Sequence, residues 1–542
     1  MEYSDGQQLL QAVEAACEQF EQTLPAGVDQ YPEQFFEVIV EPSCQDDEFF
    51  DEEEYIRSRV VSTPLIAAGP CDIYASGGTP CVAAHSTTRA LFQTYSGPLY
   101  EVSRTSDGVT ANISTISTGG VANAAAQDLF CDRTTCLIAT IFDQTGRGNH
   151  LTPALGAGSM AAADCAPVTL KLNGGDRQKA YGVFISPSSG YRNDATSGVA
   201  VGDAAEGIYA VLDGTHFNGA CCFDYGNAET SAKDTGSGHM EALYFGLGTG
   251  FGTGNGSGPW LLADLESGLF TEADTGVNPA NPTITDRFVT GVVKGQPGNS
   301  WAIRGGNAQS GSLSTFYSGV RPSGYNPMSK EGAIILGVGG DNSHGAQGTF
   351  YEGAMTSGFP SDEIENMVQA NVVAAGYFIT SLTSGPTVAV GTSVSFRATT
   401  ACCTSSFISH VDSAVSIQTI SPTDVNGTLL SASWNVVEGL GNSGCVSFEA
   451  RDTPGSFIRH SGFQLLVNPN DGSALFATDA TWCPQAGLNG EGNTIRSWSF
   501  PSHNFRHFGG NLFAASDGGP SDFDATALYN NDTTWIVGAA FA

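Results

Sequence analysis

The segment Trp260-Leu-Leu-Ala-Asp-Leu-Glu266 carries two carboxylates two positions apart, behind an aromatic residue. Read as a strand, its side chains alternate between faces, so Trp260, Leu262, Asp264 and Glu266 share one face. Two carboxylates beside an apolar wall suit a sugar ring, with one to attack carbon and one to accept hydroxyl protons. The same alternation describes an acidic pair on a solvated sheet face, and the residues taken alone favour that. A further carboxylate, Asp341, follows the apolar run 333–340, where Gly-Gly-Asp-Asn ordinarily makes only a turn. Cys221-Cys222 is unusual. Adjacent Cα atoms lie about 3.8 Å apart, short of the usual disulfide span of about 4.4–6.8 Å, so two buried thiols are the plainer reading.

Other candidates are weaker. Asp224, Glu229 and Glu241 lie near the Cys pair and read as turn and edge residues. His150 and His239 have no G-x-S-x-G nucleophile to serve, which argues against a serine hydrolase. The Gly-rich stretch 246–258 lacks the Lys-Ser/Thr of a phosphate loop and reads as a surface loop. No Cys/His set has zinc-ligand spacing, so neither a metal nor a cofactor is expected. The formal net charge of -34 repels phosphates and anionic lipid, which makes nucleic acid and acidic membranes poor partners. No stretch of about 18 apolar residues is present to span a bilayer.

These side chains need a scaffold, and the composition points to strands. Gly is 68 of 542 residues and charged residues are 14%, yet hydrophobic content is 41%, which reads as a folded all-β chain. Short strands are expected at 136–142, 180–185, 207–212, 242–245, 260–265, 288–293 and 333–338, a spacing that suggests a β-sandwich. One helix is expected over 361–377, with Asp362-x-x-Glu365 as an acidic capping box. The stretch 380–391 reads as a connection. Beyond it the chain repeats: Phe407-Ile-Ser-His410, Phe457-Ile-Arg-His460 and Asn504-Phe-Arg-His507 recur at intervals of 50 and 47. Ser431-Ala-Ser-Trp434, Asp479-Ala-Thr-Trp482 and Asp532-Thr-Thr-Trp535 keep step with them. Three such units sharing one core around a pseudo-threefold axis make a β-trefoil. Residues 1–60 hold 16 acidic and 2 basic residues, and 1–68 reads as a disordered acidic extension without the basic and apolar regions of a signal peptide. Thirteen cysteines and the sequons at Asn112, Asn255, Asn426 and Asn531 agree with an oxidising, extracellular compartment.

Several motifs then become recognisable. Gly69-Pro-Cys-Asp-Ile-Tyr-Ala-Ser-Gly-Gly78, Gly120-Val-Ala-Asn-Ala-Ala-Ala-Gln-Asp128, Asp143-Gln-Thr-Gly-Arg-Gly-Asn-His150, Gly219-Ala-Cys-Cys-Phe-Asp-Tyr-Gly-Asn227 and Asn326-Pro-Met-Ser-Lys-Glu-Gly332 closely resemble the fungal α-L-arabinofuranosidases of glycoside hydrolase family 54. The C-terminal repeats resemble the arabinose-binding module, carbohydrate-binding module family 42. The resemblance implies a β-sandwich catalytic domain over 69–381 and a β-trefoil binding domain over 382–542. It places the nucleophile at Glu266, the general acid/base at Asp341 and a substrate-binding carboxylate at Asp264, with Gly340 lining the sugar site. It also implies a vicinal Cys221–Cys222 disulfide as an apolar floor, and disulfides Cys71–Cys81, Cys131–Cys136 and Cys445–Cys483. Cys17, Cys44, Cys165, Cys402 and Cys403 are left without a partner. This chain has Phe251 where relatives often show Trp, and Ser267 where an Asn commonly follows the nucleophile.

In the module, His460 with Phe463 and Asp479, and His507 with Asp532, are the expected sugar-holding sets. The first repeat has His410 but Ser431 in place of the Asp, which predicts two working pockets and one degenerate one. The function implied is a secreted, monomeric, retaining exo-acting α-L-arabinofuranosidase that acts on arabinoxylan or arabinan. The alternative is a catalytically silent arabinofuranose-binding protein.

Overall fold

The computed structural model describes residues 68–154, 160–162, 167–172, 175–379, 384–386 and 388–542. The chain divides into Met1–Thr63 and Pro64–Ala542, and every described residue belongs to the second unit. The acidic extension, Cys17, Cys44 and Cys165 lie outside the described residues, as does part of the expected connection. The all-β expectation holds: strands account for 43% of residues and helices for 10%.

Two seven-stranded sheets carry the N-terminal body. The first runs in the order Cys81–Ser86, Gly348–Ser357, Glu206–Phe217, Phe288–Gln296, Ser300–Asn307, Ser314–Gly319, with Val183–Ile185 beside Gly348–Ser357. The second runs Leu269–Phe270, Trp260–Asp264, Glu241–Gly246, Asp224–Ala228, Ala333–Leu336, Tyr191–Asn193, Thr152–Pro153. Alternation along the second sheet sends Leu243, Phe245, Leu261 and Ala263 into a core shared with Ile208, Val293 and Ile303 of the first. Glycines let the layers close up: a Cβ at Gly291 would lie 2.7 Å from Leu261 Cδ2, and one at Gly305 2.5 Å from Leu261 Cδ1. The opposite face of the second sheet therefore carries Tyr244, Trp260, Leu262 and Asp264. Tyr244, Trp260 and Leu262 form a separate apolar cluster with Cys222 and Leu269.

Helix Asp362–Ala375 covers the outer face of the first sheet. Its N-cap is Ser361, whose hydroxyl accepts from Ile364 N at 3.4 Å, and Gly376 ends it at φ 62°. The expected capping box is not formed. Glu365 turns inward, fully buried, to pair with Arg304 Nη1 at 2.6 Å and Lys294 Nζ at 3.0 Å.

The C-terminal region forms a twelve-stranded sheet that includes a closed ten-stranded barrel. Its three repeats are structurally equivalent. Hairpins Ser406–Val411/Ala414–Thr419, Ser456–Ser461/Gln464–Pro469 and His503–Phe508/Asn511–Ser516 pair with one another in a triangle, through Ala414 with Leu466, Gln464 with Phe513 and Ser416 with Asn511. Trp434, Trp482 and Trp535 are fully buried, and their indole N–H groups donate to Ile408 O, Ile458 O and Phe505 O at 3.3, 2.9 and 3.2 Å. Each carbonyl lies two residues before the repeat's His, so the sequence repeat and the hydrogen-bond repeat coincide.

Candidate active site

Strand Trp260–Asp264 ends two residues before Glu266, which owes its direction to a turn rather than to alternation. Leu265 stays in the core, and its N–H donates to Gly268 O at 3.2 Å. Glu266 and Ser267 between them take φ of 63° and 56°, the left-handed pair of a two-residue hairpin turn into Leu269–Phe270. Non-glycine residues held there mark a constrained backbone of the kind concentrated at functional sites. Asp264 braces the turn: its Oδ1 accepts from Glu266 N at 3.1 Å, while Tyr325 Oη donates to Glu266 O at 2.9 Å.

The opposing wall follows strand Ala333–Leu336. Gly339 N donates to Ser343 O at 2.9 Å, and Asp341 Oδ1 accepts from Ser343 N at 2.8 Å, which leaves Asp341 exposed at the pocket mouth. Gly340 is required by its neighbours, because an added Cβ would run into Glu229 Oε2 and stand 2.8 Å from Glu266 Oε2. Cys221 and Cys222 are joined in a disulfide. Their sulfurs and an oxygen of Asp264 lie within 4.8 Å of one another, and Ser343 Oγ sits 3.4 Å from Cys221 Sγ. The pocket encloses about 350 Å³, and Phe251 and Ser267 lie on its rim. Phe251 is 44% exposed and stacks on Phe270 at 5.4 Å.

Burial dominates the electrostatics. Asp264 and Glu266 are each 7% exposed. Desolvation pushes the Asp264 carboxyl up to about 7, with nearby Glu229 and Asp341 adding to the rise. Desolvation, a carboxyl–carboxyl hydrogen bond with Glu229 and the Glu229 charge push Glu266 up to about 10. Asp224 is raised well above the usual range by burial and by Asp264. Asp224 and Glu229, read from the sequence as turn and edge residues, are instead buried partners of Asp264 and Glu266. Glu241 likewise is no exposed edge residue; it is buried and binds Lys330 Nζ at 2.8 Å.

In the C-terminal region His460 Nε2 lies 3.4 Å from Asp479 Oδ1, with Phe463 stacked on the imidazole at 5.9 Å. His507 Nε2 lies 3.5 Å from Asp532 Oδ1, and Thr400 Oγ1 bonds to both at 2.8 Å. Burial raises Asp479 to about 6 and lowers His460 to about 3. The first repeat departs from this pattern: Ser431 meets Ser409, and His410 is held by Asp452 at 2.9 Å. A larger cavity of about 480 Å³ lies where this region meets the N-terminal body, lined in part by Phe184, Phe463, Phe500 and His503. Its buried carboxylate, Asp524, is taken up by the N–H groups of Ser516 and Ser521, so size does not make it the reactive site.

The family model for the catalytic domain of α-L-arabinofuranosidase B matches residues 70–378, and that for the α-L-arabinofuranosidase B (ABFB) domain matches 396–537. The chain belongs to the fungal α-L-arabinofuranosidase B family, glycoside hydrolase family 54. It is a glycoside hydrolase. A probable α-L-arabinofuranosidase B of Aspergillus clavatus is 62% identical over 495 residues, covering 89% of this chain and 97% of that one. An α-L-arabinofuranosidase of Hypocrea jecorina is 63% identical, covering 89% and 98%. Solved structures of a family 54 α-L-arabinofuranosidase, one soaked with a cyclic sulfate inhibitor and one complexed with arabinofuranosyl-α-1,2-xylobiose, superpose with TM-score 0.84 at 58% identity, covering 88% of this chain and 100% of theirs.

Within this family 54 chain the structure brings Cys221, Phe251, Asp264, Glu266, Ser267, Gly340 and Asp341 to one pocket, with Cys222 buried behind its disulfide partner in the apolar cluster. The four anticipated disulfides are present, and Cys402 and Cys403, expected to have no partner, form a second vicinal pair. Asp224 and Glu229 carried one legible signal: acidic residues inside or directly after a strand of otherwise buried residues.

Proposed function

We propose that the chain is a retaining, exo-acting α-L-arabinofuranosidase that removes terminal arabinofuranose from arabinoxylan or arabinan. The observation that carries the reading is a pocket of about 350 Å³ with Glu266 and Asp264 on one wall and Asp341 on the other. A pocket of that size suits a single terminal sugar. Glu266 attacks the anomeric carbon as Asp341 donates its proton to the departing glycosidic oxygen, which yields a glycosyl ester on Glu266. Asp341, now ionised, takes a proton from water; the resulting hydroxide attacks the same carbon, and the ester bond breaks to return Glu266 as carboxylate. Two inversions give net retention. Asp264 accepts sugar hydroxyl protons, and the flat Cys221–Cys222 disulfide offers an apolar floor. The triangular, threefold pairing of the C-terminal hairpins supports a β-trefoil, and its His/Asp sets support sugar binding at the second and third repeats. Disulfides and sequons support an extracellular enzyme.

Release of 4-nitrophenol from its α-L-arabinofuranoside tests the assignment. Glu266→Ala should lower kcat by at least about a thousandfold. Equal rates for the variant and the wild type would end the nucleophile assignment and favour the silent binding protein.

A further inference from the structure

Glu229 follows strand Asp224–Ala228 and is 0% exposed. Among the described residues, no N–H or hydroxyl donor reaches either of its carboxylate oxygens. Arg192 addresses its main chain only: Nη2 donates to Glu229 O, and Nη1 to Gly340 O at 3.0 Å. One guanidinium thus ties the segment of Glu229 to the segment of Gly340 and Asp341. The Glu229 carboxyl runs toward Glu266 instead. Oxygens of Glu229, Asp234 and Glu266 lie within 4.8 Å of one another, and Gly340 packs across the Glu229–Glu266 pair with no room for a side chain.

Two carboxyls this close and shielded from water cannot both ionise, so they share a proton. We propose that Glu229 is a positioning residue: the pair shares one proton, and in the reactive arrangement that proton sits on Glu229, donating an O–H···O hydrogen bond to one oxygen of Glu266 and leaving the other oxygen charged and free to attack the sugar. The inference rests on Glu266 being the nucleophile. During attack, Glu266 forms its bond to the anomeric carbon as the glycosidic bond breaks, and the Glu229 proton stays in place, now bonded to the ester carbonyl. When water cleaves the ester, the same O–H group receives the returning carboxylate charge. Glu229 neither gains nor loses a proton over the cycle. The charged groups around the pair are Asp264 on the strand before Glu266, Asp234 in the loop after Glu229, Asp224 at the start of the strand that leads into Glu229, and Arg192 and Asp341 from the Gly340 side.

The test is the pH dependence of kcat and kcat/KM for 4-nitrophenyl α-L-arabinofuranoside in wild type, Glu229→Gln and Glu229→Leu. The Gln amide supplies a fixed donor, so kcat should stay above about a fifth of wild type with the acid limb in place. Leu fills the space without a donor. Its kcat should fall by about 30-fold or more with KM within about threefold, and the acid limb should move up by about one pH unit, because ionised Glu266 then loses the O–H donor that favours its charge while its burial remains. A purely structural role would slow the enzyme without moving that limb. Glu229→Gln as slow as Glu229→Leu, or Glu229→Leu close to wild type, overturns the proposal. If Glu229→Leu does not fold, Glu229→Gln decides alone, a loss of about 30-fold or more being the overturning result. Loss of wild-type activity on dialysis against EDTA, restored by a divalent cation, would also overturn it, since a cation would then join these carboxylates. Failure of the nucleophile reading shows separately, as an active Glu266→Ala.

Discussion

Asp264 and Glu266 are neighbours on one turn, yet their environments are set from opposite ends of one strand, by Asp224 for the first and Glu229 for the second. The consequence for stability has a definite sign. The carboxyl of Asp264 rises from 3.8 to about 7 on folding, so the folded protein binds that proton more tightly than the unfolded chain. Its contribution is complete below about pH 4 and is lost as pH climbs through about 7. Asp264→Asn removes the titration while keeping the shape. Melting temperatures of the two proteins between pH 4 and pH 7 should therefore diverge, with the variant gaining on wild type as pH rises. A difference that stays constant with pH would show that Asp264 ionises freely in the folded state.

At the scale of elements, two local choices position the site from opposite sides. The turn that follows strand Trp260–Asp264 holds Glu266 and Ser267 in left-handed conformations and points the carboxyl into the pocket. Helix Asp362–Ala375 secures the layer behind it, because Glu365 reaches past the cap to Lys294 and Arg304 on two adjacent strands of the first sheet. These partners are nearly or fully buried, so truncating Glu365 leaves two interior cations with only the half-exposed Asp362 as a counter-charge. Glu365→Ala should cost about 3–5 kcal/mol in urea unfolding. The kcat of the folded fraction should stay at the wild-type value, since this helix lies against the sheet that does not carry the pocket. A cost below about 1 kcal/mol would mean that water reaches the pair.

At the scale of the molecule, catalysis and retention on polymer are separable. Asp479→Ala with Asp532→Ala removes the carboxylate from both expected pockets and leaves Glu266 and Asp341 untouched. Each loss should cost about 1.5–3 kcal/mol, which weakens each pocket at least about tenfold. Retention on insoluble arabinoxylan should fall, and so should hydrolysis of that polymer at low concentration, while hydrolysis of a small soluble arabinofuranoside should hardly change. Ser431→Ala should leave retention unchanged, since His410 in that repeat is already engaged by Asp452. An effect of Ser431→Ala equal to that of the Asp pair would mean that the first repeat binds sugar by another route.

Features local in sequence were legible in the sequence alone. Gly-rich, charge-poor composition specifies short strands and tight turns; the 50- and 47-residue intervals specify three like units; strand alternation places Asp264 on the face opposite Leu261 and Ala263. Each depends on a residue and its near neighbours in the chain. Chain-distant packing decided the rest. Glu266 reaches the pocket through a left-handed turn that alternation does not foresee, and Asp452 takes the place at His410 that the register reserved for Ser431. Asp224 and Glu229 look like ordinary turn and edge acids until strands from other parts of the chain bury them against two more carboxyls. The charge state of a carboxyl is set by how much water and how many opposing charges surround it, and those neighbours arrive only when the sheets assemble.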